Sequence, residues 1–307
     1  MGVIRALLIA GPTASGKSAL AIAIATRWGA RIVNADSMQV YRDWRVLTAR
    51  PTREEEAEAP HLLFGDIDGA VNFSVGRWLE RARALLAHDE APLIFVGGTG
   101  LFFKALCEGL SDLPPVPDAV REATRAEARG VATPDLHAKL AARDPLTAAK
   151  LRPSDRQRVL RALEIFAASG VPLAAMQGAR KAPALAPDAW RGIFLAPERD
   201  ILVRRIDARF DAMILGGALE EAEAVRARKL DPALPAMRAH GAPHLIAHLD
   251  GRLTLADAAE LSKRDTRRYA KRQMTWARHQ MPGFVWTTPE GALGAALDAL
   301  QIAPPLG

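Results

Sequence analysis

Gly11-Pro12-Thr13-Ala14-Ser15-Gly16-Lys17-Ser18 matches the phosphate-loop pattern G-x-x-x-x-G-K-[ST] at every position. Its flanks decide the reading. Ile4-Arg-Ala-Leu-Leu-Ile-Ala10, just before it, is a short apolar run ended by Gly-Pro, as in a strand buried on both faces. Residues 17–28, just after it, carry apolar side chains at Leu20, Ile24 and Trp28, a helical spacing. A chance match in a glycine-rich turn would need neither flank. In such a loop the glycines let successive N–H groups turn inward on phosphate oxygens. The helix N-terminus adds partial positive charge. Lys17 contributes a full charge, and the Ser18 hydroxyl is suited to Mg²⁺. Phosphate binding is therefore expected from all eight residues, with Ser18 as the metal ligand.

Outward from this loop, residues 31–35 and 92–96 read as two further short strands, with a helix at about 74–88 between them. That alternation predicts an α/β fold, a P-loop NTPase-like parallel sheet flanked by helices. Ser111-Asp-Leu-Pro-Pro-Val-Pro117 interrupts it, and residues 118–170 then read as helical and rich in Ala, Arg and Leu. A second Ala/Pro-rich break at 178–188 precedes strand character at 190–196. The expected organisation is a core from 1–112 and 182–307, with an all-helical subdomain inserted at 113–181. The tail from about 286 carries little signal.

The 307 residues are 49% apolar and 25% charged, ordinary values for a globular chain. No apolar stretch approaches the ~20 residues that cross a bilayer, and the start lacks a signal peptide's features. A cytoplasmic protein without a membrane partner is expected. The single cysteine, Cys107, reads as a buried spectator. The net charge of +6 is clustered, with Arg and Lys concentrated at 143–161, 199–209 and 263–278, which points to an anionic partner.

Asp36 follows the second strand, where a carboxylate faces the ligand crevice of a parallel sheet and can act as a general base. The bland alternative is a helix N-cap. Gly97-Gly98-Thr99-Gly100 follows the third strand and suits close approach of a ligand to backbone, though plain turns use the same residues. Arg204, Arg205 and Arg209 share a helix whose apolar positions are Leu202, Ile206, Phe210 and Met213. A guanidinium there either stabilises a leaving diphosphate or belongs to a solvated face. Asp155–Glu164 is amphipathic, with Arg158 and Arg161 on one face for RNA phosphates. Thr266–Arg278 is a basic helix with an apolar stripe through Ala270, Met274, Ala277 and Met281. His240 and His244 are separated by Gly241 and Pro243, so no zinc pair is expected.

Taken together, Gly11–Ser18, Asn34–Tyr41, Val96–Leu110, Asp155–Glu164 and Thr266–Arg278 resemble the bacterial tRNA dimethylallyltransferase family, also called tRNA isopentenyltransferases, in order and spacing. The resemblance implies transfer of a dimethylallyl group from dimethylallyl pyrophosphate to N6 of adenosine 37 in tRNA, with Mg²⁺; a monomer is expected. It implies a catalytic set of Asp36, Lys17, Thr99 and Arg209, with Asp36 as base and Arg209 on the pyrophosphate. It also implies tRNA contacts from Asp36, Ser37, Met38, Gln39, Thr99, Arg121, Gln157, Arg158, Val159, Leu160 and Arg161, and from Arg238, Ala239, His240, Gly241, Ala242 and Pro243. The helical insertion would clamp the anticodon stem-loop. This chain departs from the family at 238–243, where the usual pattern is Arg-x-Ile/Val-Gly-Tyr-Lys/Arg, and at Phe102, often Tyr. Rival readings are an adenylate isopentenyltransferase, a P-loop small-molecule kinase, and an RNA-binding protein with an ATP switch.

Overall fold

The structure, a computed structural model, describes residues 4–176, 178 and 180–302. The remaining residues, which fall in the expected first core segment, insertion and tail, lie outside the described residues. The chain divides into two compact units. One comprises the residues up to Cys107 together with those from Pro183 onward, and the other comprises Glu108–Ala182.

Six parallel strands organise the first unit: β1 Ala6–Ala10, β2 Arg31–Asn34, β3 His61–Leu62, β4 Leu93–Gly97, β5 Trp190–Leu195 and β6 Phe284–Thr287. They lie in the order β3-β2-β4-β1-β5-β6. β1 and β4 are buried at every position, which is why they read as unbroken apolar runs. Because β4 enters between β1 and β2, Ala10 is level with Gly97, and Asn34 with Val96. The phosphate loop, the Gly97–Gly100 loop and Asp36 thus leave three adjacent strands at one end of the sheet. Ligands of open α/β sheets bind at such an end.

One face of the sheet is covered by the helix Lys17–Trp28, which buries Leu20, Ile24 and Ala25 against Leu7, Ile9, Ile32, Ile94 and Ile193. The helix Ala292–Leu300 joins the same core through Ala292, Ala296, Leu297 and Leu300. Residues 292–300 are therefore helical although little in the sequence marks them. Half of their buried face is alanine, and β6 ahead of them buries only Phe284. Cys107 is half-buried rather than enclosed.

The second unit is built from the helices Asp118–Glu127, Thr133–Ala141, Pro145–Lys150 and Arg156–Ser169. Its core gathers Leu136, Leu140, Val159, Ala162 and Leu163. Asp144 and Asp155 cap two of these helices, accepting from the N–H groups of Thr147 and Arg158 at 3.0 and 3.2 Å. Buried Glu164 pairs with Arg125 at 2.8 Å. Among the described residues, no helix is long and apolar enough to cross a membrane.

Candidate active site

Different constraints require the two glycines of the phosphate loop. Gly16 adopts φ 91°, in the left-handed region. At Gly11 a Cβ would come within 2.8 Å of Ser15 Oγ and 3.0 Å of the Leu195 carbonyl. The Ser15 hydroxyl is fully buried and has no hydrogen-bond partner among the described residues. Such an unmet group costs roughly 1–3 kcal/mol, which a ligand oxygen would offset. Lys17 Nζ donates to the Pro12 carbonyl at 3.1 Å. Burial lowers the Lys17 pKa to about 8, with Asp36 opposing the shift and Arg209 adding to it. Ser18 is exposed in the first helical turn.

Asp36 caps no helix; the chain turns after β2. The Asn34 side chain shapes that turn. Its Oδ1 accepts from Asp36 N–H at 2.8 Å, and its Nδ2 donates to the carbonyls of Asp36 and Leu63. Buried Trp78 donates in turn to the Asn34 carbonyl at 2.8 Å. Asp36 Oδ1 accepts from Met38 N–H at 2.9 Å. Thr99 joins the neighbouring loop to this turn: its hydroxyl accepts from Ser37 N–H at 2.9 Å and its own N–H donates to Ala35. Gln39 Nε2 donates to the carbonyls of Thr48 and Ala49, so its amide supports the loop that follows.

Arg209 lies on the helix Arg199–Leu215, whose Leu202, Ile206, Phe210 and Met213 are buried as their spacing indicates. Its guanidinium donates to the Thr13 hydroxyl, whereas Arg204 and Arg205 are exposed. Burial lowers the Arg209 pKa, and Asp36 opposes that shift. Lys17, Arg209 and Asp36 therefore share one electrostatic site. A cavity of about 60 Å³ there is lined by Thr13, Asp36, Met38, Arg209, His240 and Tyr269. A second cavity, of about 220 Å³ and mainly apolar, is lined by Gly11, Gly98, Thr99, Phe194, Trp276 and Met281. Tyr269 lines both.

Two residues on the helix Leu255–Gln280 join the site beyond the expected set. Tyr269 packs its ring 4.3 Å from His240, and burial raises its pKa. Gln273 is buried and bonds to both the phosphate loop and Gly98. A polar side chain in register with Ala270 and Ala277 was the available signal; Gln273 occupies the buried row, and Met274 is half-buried.

At 238–243, Ala239 and Ala242 are fully buried, and Pro243 opens the helix Ala242–Leu249, a position that suits proline. Gly241 takes φ 97°. Arg238 donates to the Ala233 carbonyl at 3.1 Å. Only His240 of these six lines the cavity with Asp36. His244 instead meets Asp265 at 2.9 Å. Arg121, Gln157, Arg158, Val159, Leu160 and Arg161 belong to the helical unit. There Gln157, Arg158 and Arg161 are exposed, Leu160 is partly buried, and the Val159 side chain lies in the core. Arg121 pairs with Asp118 and donates to the Val116 carbonyl.

No group of three or more His, Cys, Asp or Glu suited to a metal occurs among the described residues. A magnesium ion here would rest on Ser18 and on ligand oxygens, a sparse protein contribution that suits Mg²⁺.

A phosphate loop, two partly buried cations, a crevice carboxylate and an adjoining apolar cavity are the features of a P-loop enzyme. The IPP transferase family model matches residues 39–280, and the isopentenyl transferase model matches residues 4–63. A tRNA dimethylallyltransferase from Methylocella silvestris is 63% identical over 95% of this chain and 97% of its own. One from Beijerinckia indica is 58% identical over 96% and 99%. The crystal structure of the tRNA isopentenylpyrophosphate transferase of Bacillus halodurans superposes with a TM-score of 0.68 at 32% identity, covering 97% of each chain. The chain belongs to the tRNA dimethylallyltransferase family.

Proposed function

We propose that this protein transfers the dimethylallyl group of dimethylallyl pyrophosphate to N6 of adenosine 37 in tRNA, releasing pyrophosphate. The activity class is tRNA modification by prenyl transfer, as in its family. The observation that carries the finer reading is the convergence of Lys17 and Arg209 on the phosphate loop with Asp36 close enough to influence both.

An adenine N6 amine is a poor nucleophile because its lone pair is delocalised into the ring. In the proposed reaction that lone pair forms a bond to C1 of the dimethylallyl group. The C1–O bond breaks and its electrons leave with pyrophosphate. Lys17, Arg209 and the loop N–H groups stabilise the departing charge. Asp36 accepts the N6 proton, a role worth about 10²–10⁴-fold in rate. Magnesium at Ser18, when bound, would neutralise diphosphate charge. The apolar cavity suits the five-carbon chain. The base must leave its stack, which costs a few kcal/mol and is easier in a loop than in a duplex.

We further propose that Arg121, Arg158 and Arg161 hold RNA phosphates and that the enzyme acts as a monomer in the cytoplasm. The test is incubation with dimethylallyl pyrophosphate, Mg²⁺ and an anticodon stem-loop bearing consecutive adenosines, followed by nucleoside mass analysis. A five-carbon addition to adenosine is expected. Prenylation of AMP in place of the stem-loop, or release of ADP from ATP without any five-carbon addition, would overturn the reading.

A further inference from the structure

The buried face of the helix Leu255–Gln280 runs through Ala258, Ser262, Thr266, Ala270, Gln273 and Ala277. Ser262 and Thr266 satisfy their hydroxyls on carbonyls four residues back in the same helix. Gln273 turns its polar atoms outward from the helix. Its Oε1 accepts from Thr13 N–H at 3.0 Å, and its Nε2 donates to the Gly98 carbonyl at 2.8 Å.

Those two partners lie on separate loops. Thr13 follows β1 and Gly98 follows β4, whose last paired residues are Ala10 and Gly97. Beyond that pair the sheet no longer sets the distance between the loops. Gly98 leads into Thr99, whose hydroxyl accepts from Ser37 N–H beside Asp36. Thr13 is the residue whose hydroxyl receives Arg209. A Cβ at Gly98 would overlap the Gln273 amide nitrogen, so the missing side chain is what admits the strut.

We infer that Gln273 is a positioning residue, a strut that fixes the separation between the leaving-group loop and the loop that carries the acceptor machinery. The inference rests on the proposed transfer reaction. An amide is chemically required because one planar group must accept on one side and donate on the other. A carboxylate accepts from Thr13 but sets oxygen against the Gly98 carbonyl. A thioether offers neither bond of comparable strength. Displacing reacting groups by about 1 Å can cost 10²-fold in rate. The strut therefore acts on the chemical step rather than on either binding step.

The test uses the full chain, dimethylallyl pyrophosphate and the anticodon stem-loop, with Gln273→Met and Gln273→Glu. Both are expected to lower kcat by about 100-fold while the KM for each substrate stays within about threefold. Hydrogen exchange at the Thr13 amide should accelerate in Gln273→Met, which removes its acceptor, relative to wild type and to Gln273→Glu, which keeps one, with or without RNA. An unchanged kcat, or a loss confined to the RNA KM, overturns the strut.

If neither variant folds, Gly98→Ala, Gln273→Ala and the double variant decide the matter. Gly98→Ala displaces the amide that Gln273→Ala removes, and its Cβ also comes 3.3 Å from Asp36 Oδ2, so a shared strut predicts a double variant well short of the summed losses, whereas fully additive losses overturn it. A wild-type protein that attaches no five-carbon unit sinks the reaction instead, and exchange at Thr13 still judges the strut.

Discussion

Lys17 donates to the carbonyl of Pro12, 3.1 Å away, so its ammonium folds back over its own loop. Burial, opposed by Asp36 and reinforced by Arg209, leaves it with a pKa of about 8. A bound diphosphate supplies negative charge and must raise that value. Below pH 8 the amine is charged with or without ligand, and Lys17 gives affinity no pH dependence. Above pH 8 the free protein has lost the proton that binding must restore, so affinity falls as pH rises, by up to about tenfold per unit. Calorimetric titration of inorganic pyrophosphate from pH 7 to 9.5 should show this fall together with proton uptake. Lys17→Arg, charged throughout, should show only the ligand's own titration. Equal slopes in the two proteins would remove Lys17 from the diphosphate site.

Asp36→Asn keeps an oxygen to accept from Met38 N–H, so the turn built by Asn34 should persist. It removes the ability to accept a proton. Single-turnover transfer should fall by about 10²–10⁴-fold. Stem-loop and pyrophosphate affinities should stay within a few-fold of wild type. A variant that loses RNA binding in proportion to rate would make Asp36 an RNA contact and not a base.

How far the sequence could be read depended on whether a residue announces its role locally. Gly11–Ser18 did, because one contiguous turn forms the cradle. Asp36 stood out by its place after a strand, whereas only the family resemblance singled out Arg209, and only tertiary structure separates Arg209 on Thr13 from exposed Arg205. The inner strands β1, β2, β4 and β5 were legible because burial leaves each a short apolar run. β3 has two residues and β6 buries one, too little for a periodic signal. Gln273 was hidden for another reason. Its partners Thr13 and Gly98 lie 260 and 175 residues away, and no local pattern encodes such pairings. His240 reached the Asp36 cavity through a segment where the chain departs from the family.

In the helical unit, Glu164 is buried and already matched by Arg125 at 2.8 Å, while Arg161 stands 3.7 Å from it with its side chain 45% exposed. Arg158 is 74% exposed beside Asp155. Both guanidiniums retain charge for an outside anion. If they hold RNA phosphates, Arg158→Gln and Arg161→Gln should each reduce the slope of log K against log salt by about 0.7–1. The loss should be uniform across stem-loop sequences, because phosphate contacts carry no base information. Filter binding between 50 and 200 mM salt measures it. Unchanged slopes would place the RNA elsewhere.

Glu221, on the helix Ala218–Ala227, holds the loop that borders the Asp36 cavity. One carboxylate oxygen accepts from the N–H groups of Arg45 and Val46, each at 2.7 Å, and the other from Leu47 at 3.0 Å. Leu47 and Thr48 then line the cavity. Bonds to an ionised acceptor are stronger than neutral ones, and Glu221→Ala leaves three donors without it. We expect a loss of about 1–3 kcal/mol, since water reaches part of this loop and replaces some of the bonding. Glu221→Gln should cost less than Glu221→Ala: its amide oxygen can keep two of the bonds, while its NH₂ group faces the third donor. Urea unfolding should show lower midpoints in that order with unchanged m-values. Equal stability of all three proteins would mean that the loop holds its shape without the carboxylate.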